Sequence, residues 1–282
     1  MRAEAAPQVP GPKSVPAVDL ARLARQVEHL RAAVGDPVAF RARFGDLMGV
    51  YADRTRRAGV DLGRGRNVPA HILKVLANAL VEETESDGER AALLADVLWA
   101  METKEARLIA IVLLHRQPPA DLLSRVLAWS DSTDDPEVLE QLADAALAPV
   151  RARQPGAFLE ALADVRWHFK HRRRAFALHV LRAAVEDRGF QALPRVLELM
   201  APRGEAPIAE ERRALNHLAE ALARRTPGET ARWLGEALER RQAWSYAAAA
   251  AALPALPEWA GRQLERSLLA ARAAGIIPNH ND

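Results

Sequence analysis

The strongest constraint in this sequence is a rhythm. Apolar residues recur three and four positions apart in short runs, and punctuation cuts each run after 12 to 20 residues. Leu20, Leu23, Val27, Leu30 and Val34 form the first stripe. Asp36-Pro37 then supplies an N-cap and a proline at the first helical position, ahead of Phe40, Phe44, Leu47, Met48 and Tyr51. Ser86 and Glu89 have capping-box spacing before Leu93, Leu94, Val97 and Leu98. Thr103 precedes Leu108, Ile109 and Val112, and Pro118-Pro119 precedes Leu122, Leu123, Val126 and Leu127. Asp135-Pro136 repeats the cap-plus-proline signal ahead of Leu139, Leu142, Ala146 and Val150.

The pattern predicts twelve to fourteen short helices over residues 18–275 and leaves no period-two run long enough for a sheet. The expected fold is all-α: a HEAT-like helical-repeat solenoid of paired antiparallel helices, with a loose period of 35 to 45 residues per pair. An irregular helical bundle is the alternative arrangement. Residues 1–17, with Pro7, Pro10, Pro12 and Pro16, read as a flexible arm, and residues 276–282 as a frayed tail.

Composition supports the helical reading and excludes several chemistries. Of 282 residues, 58 are Ala and two are Tyr, a balance that favours helix over sheet. There is no cysteine, which rules out disulfides, thiol catalysis, iron–sulfur clusters and cysteine-ligated zinc. No apolar run reaches membrane-span length and no signal-peptide stretch is present, so a soluble cytoplasmic protein is expected. Phosphate-loop, kinase, His-Glu-x-x-His and dinucleotide fingerprints are absent, and no cofactor or metal is expected. Asp164, His168 and His171 could share one helix face, but no further ligand accompanies them.

Charge is segregated although the formal net charge is only +2. Six basic residues lie between Arg54 and Lys74, and eight between Arg151 and Arg182. Five acids lie between Glu82 and Glu89, and six, with no base, between Asp131 and Asp144. A curved solenoid could place these blocks on opposite surfaces, and a basic groove would suit a phosphate backbone. The plain alternative is solvated helix faces.

Several motifs then occur in a telling order. Gly65-Arg66-Asn67-Val68-Pro69 leads into a helix. Leu98-Trp99 is followed by Lys104-Glu105-Ala106-Arg107-Leu108-Ile109-Ala110, and Trp129 opens an acidic segment. Arg173-Arg174-Ala175-Phe176-Ala177-Leu178 follows, and a later helix ends Arg225-Thr226-Pro227. This order resembles the AlkD/AlkC-type DNA alkylation repair proteins over about residues 20–240. The resemblance implies a HEAT-like solenoid that wraps duplex DNA, damaged or branched. Where such a protein is active, it is a glycosylase that removes alkylated bases with an aspartate flanked by tryptophans.

Carried over residue by residue, the aspartate position falls on Glu140, with Asp135 or Asp144 offered by shifted alignments. The tryptophan positions fall on Pro136, His171 and His217. The resemblance makes Glu140 and Asp135 the candidate catalytic carboxylates, and Arg66, Lys170, His171, Arg173, Arg174 and His217 the candidate DNA contacts. Without aromatic walls a cationic base loses its stacking and cation–π partners, so binding is expected with altered or lost base-excision chemistry. Plain readings stand beside these: Asp135 as a helix cap, Glu140 and Asp144 on a polar face, Arg173 and Arg174 paired across helices, Trp99 in the core. A helical-repeat scaffold for a protein partner is the reading from a different class. The sequence leaves the oligomeric state open.

Overall fold

A computed structural model describes residues 19–52, 67–168, 171–202, 207–242 and 244–274, with the side chains of 167, 168 and 171 excepted. Among the described residues every regular element is a helix. The protein is an all-α helical-repeat solenoid. The proposed arm at 1–17 and tail at 276–282 lie outside the described residues.

Short polar caps start the helices where the sequence marks them. Asp19 opens α1 (Leu20–Arg31) and Asp36 opens α2 (Pro37–Tyr51), each accepting first-turn backbone N–H groups. After α3 (Ala70–Thr84), α4 (Gly88–Trp99) is capped by Asp87, which accepts from the Arg90 N–H at 3.0 Å. The cap thus falls one residue after Ser86, because Asp87 carries the extended backbone that a cap needs. Thr103 caps α5 (Lys104–Arg116). α6 (Leu122–Ser130) follows Pro118-Pro119. Asp135 caps α7 (Pro136–Gln141), accepting from the Glu137 and Val138 N–H groups at 3.0 and 3.1 Å.

Downstream of α7 the helix is not continuous. A π-turn at Leu142–Ala146 separates α7 from α8 (Ala148–Arg153). Such a turn misaligns backbone carbonyls, and side chains supply the missing donors. His115 of α5 reaches the Ala145 carbonyl at 2.8 Å, and Arg151 reaches the Asp144 carbonyl at 3.5 Å. The chain continues through α9 (Pro155–His168), α10 (His171–Glu186), α11 (Leu193–Met200), α12 (Ala209–Arg225), α13 (Pro227–Glu239), α14 (Ser245–Ala252) and α15 (Glu258–Ala273).

Two layers result. Along the first, α1 packs on α3, α3 on α5, α5 on α7 and the π-turn, the π-turn on α10, α10 on α12, and α12 on α14. Along the second, α2 packs on α4, α9 on α11, and α13 on α15, while α6 sits against the π-turn and α10. Helices pair across the layers, as α3 does with α4 and α12 with α13. One contiguous core runs between them. Alanine fills much of it: Ala106 and Ala110 on α5, Ala177 and Ala184 on α10, Ala219 and Ala223 on α12 are all buried. A methyl side chain orders at no entropic cost and lets helix backbones approach closely.

Candidate functional site

The first layer presents an open groove. A cavity of about 840 Å³ spans α3, α5 and α7. Asn67, Val68, Leu73, Lys74 and Asn78 come from α3 and the turn before it. Lys104, Leu108, Val112, His115 and Arg116 come from α5. Glu137, Gln141 and Ala145 come from α7 and the π-turn. Asn67 adopts φ 54°, the left-handed region that asparagine tolerates better than most residues, and it aims Val68-Pro69 into α3. A smaller cavity of about 590 Å³ continues the groove between α1 and α3.

Lys104 and Glu137 form an ion pair across the α5–α7 seam. The hydrogen bond to Glu137 raises the Lys104 ammonium above its ordinary value, against the opposing effect of burial. His115 is fixed as well. A carbonyl can only accept, so His115 carries its hydrogen on Nδ1 toward Ala145, which gives Nε2 the acceptor role in the neutral ring.

The proposed carboxylates sit beside this groove. Glu140 is exposed on α7 but turned toward α10, where its Oε1 meets Arg182 Nη2 at 3.2 Å. Asp135 spends its carboxylate on the α7 cap. Glu137, in the first turn of α7 two residues after the cap and absent from the sequence candidates, is the α7 carboxylate that lines the cavity. Lys104, which opens the Lys104-Glu105-Ala106-Arg107 motif, is likewise absent from the sequence candidates, and its place in that motif is its one signal.

On α10, His179 is half-buried next to Arg182. Burial lowers its pKa to about 4, helped by the positive charges of Arg182 and His217 and opposed by Glu140. The imidazole is therefore neutral at neutral pH. His217 is exposed on α12 and close enough for its charge to reach His179. Glu140 and His217 are thus brought to one neighbourhood by α10.

The basic candidates part ways. Arg66 and Lys170 lie outside the described residues, as does the His171 side chain. The side chains of His168 and His171, two of the three weighed for a metal, likewise lie outside them, and the described residues hold no group of three or more acids and histidines that could bind one. Arg173 pairs with Asp131 at 2.5 Å. Arg174 departs furthest from the expected phosphate contact. It is buried, 6 % exposed, and lies 3.2 Å from Glu211, which Arg166 also grips. Burial lowers the Arg166 pKa and Glu211 opposes that shift. The Arg174 guanidinium is thus committed to a core triad that ties α9, α10 and α12 together.

The acidic block at 131–144 and the second basic block do not occupy opposite surfaces; they meet, whereas most of the first basic block lies outside the described residues. Of the six acids between Asp131 and Asp144, Asp131 pairs with Arg173, Asp134 with Arg172, Glu137 with Lys104, Glu140 with Arg182 and Asp144 with Arg151. The sixth, Asp135, is the helix cap.

The described tryptophan side chains are elsewhere. Trp99 and Trp129 stack with ring centres 4.3 Å apart, both buried. Arg107 lies over the Trp99 ring at 4.8 Å, and Trp99 Nε1 donates to the Ser132 hydroxyl at 2.9 Å. Trp99 is therefore core, and Trp129 joins it there. No tryptophan side chain among the described residues lines the groove.

Fold and groove together define a helical-repeat solenoid with a charged, apolar-floored cleft along one layer. The model of the DNA alkylation repair enzyme family matches residues 61–253, and the chain belongs to that family. No match was found among curated proteins or among solved structures. No helix of the described residues is long and apolar enough to cross a membrane.

Proposed function

We propose that this member of the DNA alkylation repair family binds duplex DNA along the first-layer groove, with base-excision chemistry that is altered or lost. One observation carries the reading: an open groove crosses three successive helices of one layer, inside the family-matched span, with Lys74 and Arg116 exposed at its edge. Cations at the rim would neutralise phosphates with little regard to sequence. The altered chemistry is supported by two features. Glu140 and Glu137 are each held by a cation, and no described tryptophan walls the groove. A carboxylate already paired does less for a developing oxocarbenium ion.

The second reading is a scaffold for a protein partner. The mutual neutralisation of the acidic and basic blocks favours it, because it removes Arg172, Arg173 and Arg182 from the cations a phosphate backbone could use. Gel-shift titration with undamaged, branched and alkylated duplexes tests both readings. Retardation that falls steeply with salt supports DNA binding, and its absence on all three duplexes supports the scaffold. Release of methylated purines, abolished in Glu140→Gln, would instead identify an active glycosylase.

A further inference from the structure

Floor and rim of the 840 Å³ cavity differ in chemistry. Leu73, Leu108 and Val112 form a half-buried aliphatic floor. The rim carries the exposed cations Lys74 and Arg116 and three neutral amides, Asn67, Asn78 and Gln141. Two carboxylates belong to the lining. Glu137 is paired with Lys104, and Glu105 is 3 % exposed. Lys74, Lys104 and Arg116 outnumber Glu105 and the exposed Glu137, so the net charge of the lining is positive, and it borders an apolar surface beside hydrogen-bonding amides.

Those are the three parts of one nucleotide: a base face, a polar base edge and a phosphate. A cavity of this size falls in the range that holds small organic ligands. A base paired within a duplex has both faces stacked and cannot reach Leu108 or Val112. An unpaired base has a face to give and a lower unstacking cost to meet. We propose that the groove takes a single unpaired nucleotide of a DNA strand. Its base lies on Leu73, Leu108 and Val112, its edge meets the amides, and its phosphate meets Lys74 or Arg116. The proposal rests on the DNA-binding reading above and adds what the groove selects.

The test is anisotropy titration of the full chain with three DNAs of equal length: a paired duplex, a duplex with one bulged adenine, and the same bulge with an abasic nucleotide. The bulged adenine is expected to bind about tenfold tighter than the paired duplex, and the abasic bulge to fall back to the paired value. Val112→Trp, which fills the floor, should abolish the preference. Asn78→Leu, on an exposed position that the fold does not need, should cut the preference about threefold and decides the matter if Val112→Trp fails to fold. Equal binding of all three DNAs, or an abasic bulge as good as adenine, overturns the nucleotide pocket while DNA binding stands. A preference undiminished in both variants also overturns it. No binding to any of the three overturns the DNA reading itself.

Discussion

Glu140 on α7 and Arg182 on α10 meet at 3.2 Å, and Arg182 also holds Glu186 one helical turn away. The carboxylate that the family resemblance would make catalytic is shared with a guanidinium. Base release from a duplex carrying 7-methylguanine is therefore expected to stay within a few-fold of the Glu140→Gln level. Glu140 is more than half exposed, so Glu140→Gln should cost less than about 1 kcal/mol of stability. Liquid chromatography of freed base and a urea melt of each protein check both statements.

The buried triad is the opposite case. Glu211 is fully buried between Arg166 and Arg174. Glu211→Gln removes a fully buried carboxylate from between Arg166 and Arg174, and a loss on the order of 3–5 kcal/mol is expected. Arg173→Gln, whose partner Asp131 is at the surface, should cost about 1 kcal/mol or less. Chemical denaturation of the two variants, compared with the parent chain, reads the difference directly.

Acid should destabilise the protein through His179. Its value is about 6.5 in an unfolded chain and about 4 in the fold. Between these values the unfolded chain takes up a proton that the folded chain refuses. Stability is therefore lost as pH falls from about 6.5 toward about 4, and the loss levels off below that. The full effect is on the order of 3 kcal/mol. Urea melts at pH 7 and pH 4.5 should show His179→Gln losing roughly 2 kcal/mol less than the parent across that interval. Equal losses would contradict the assignment.

Trp129 is a core residue despite its place at the head of the acidic segment. Trp129→Ala removes one half of the stack on Trp99, and a cost of about 3–5 kcal/mol is expected. The companion Trp99→Phe keeps an aromatic ring but loses the bond to Ser132, for roughly 1 kcal/mol. Thermal unfolding followed by tryptophan fluorescence measures each.

What the sequence made legible was local. Asp36, Thr103 and Asp135 read as caps because a cap is decided by one side chain and the two or three N–H groups after it. The apolar stripes gave the helices, and Trp99 at the end of a stripe read as core. What stayed hidden depended on how helices stack. Arg174 finds Glu211 and Arg182 finds Glu140 only after α10 lies between the π-turn and α12, and no local spacing encodes that. On α7, Glu137 and Gln141 stand four residues apart and line the cavity, while Glu140 meets Arg182 of α10. An Asp or Glu near the right place in sequence was therefore not enough to say which carboxylate fronts the groove.

We propose that the first-layer groove carries DNA through cations at its edge. The most direct measurement is the salt dependence of duplex affinity for the parent chain and for Lys74→Gln/Arg116→Gln. Both positions are exposed, so the double variant should fold as the parent does. The expected result is a weaker affinity and a log–log salt slope shallower by about 2, the change for two lost phosphate contacts. Parent and variant binding duplex DNA with the same affinity and the same slope would contradict the claim.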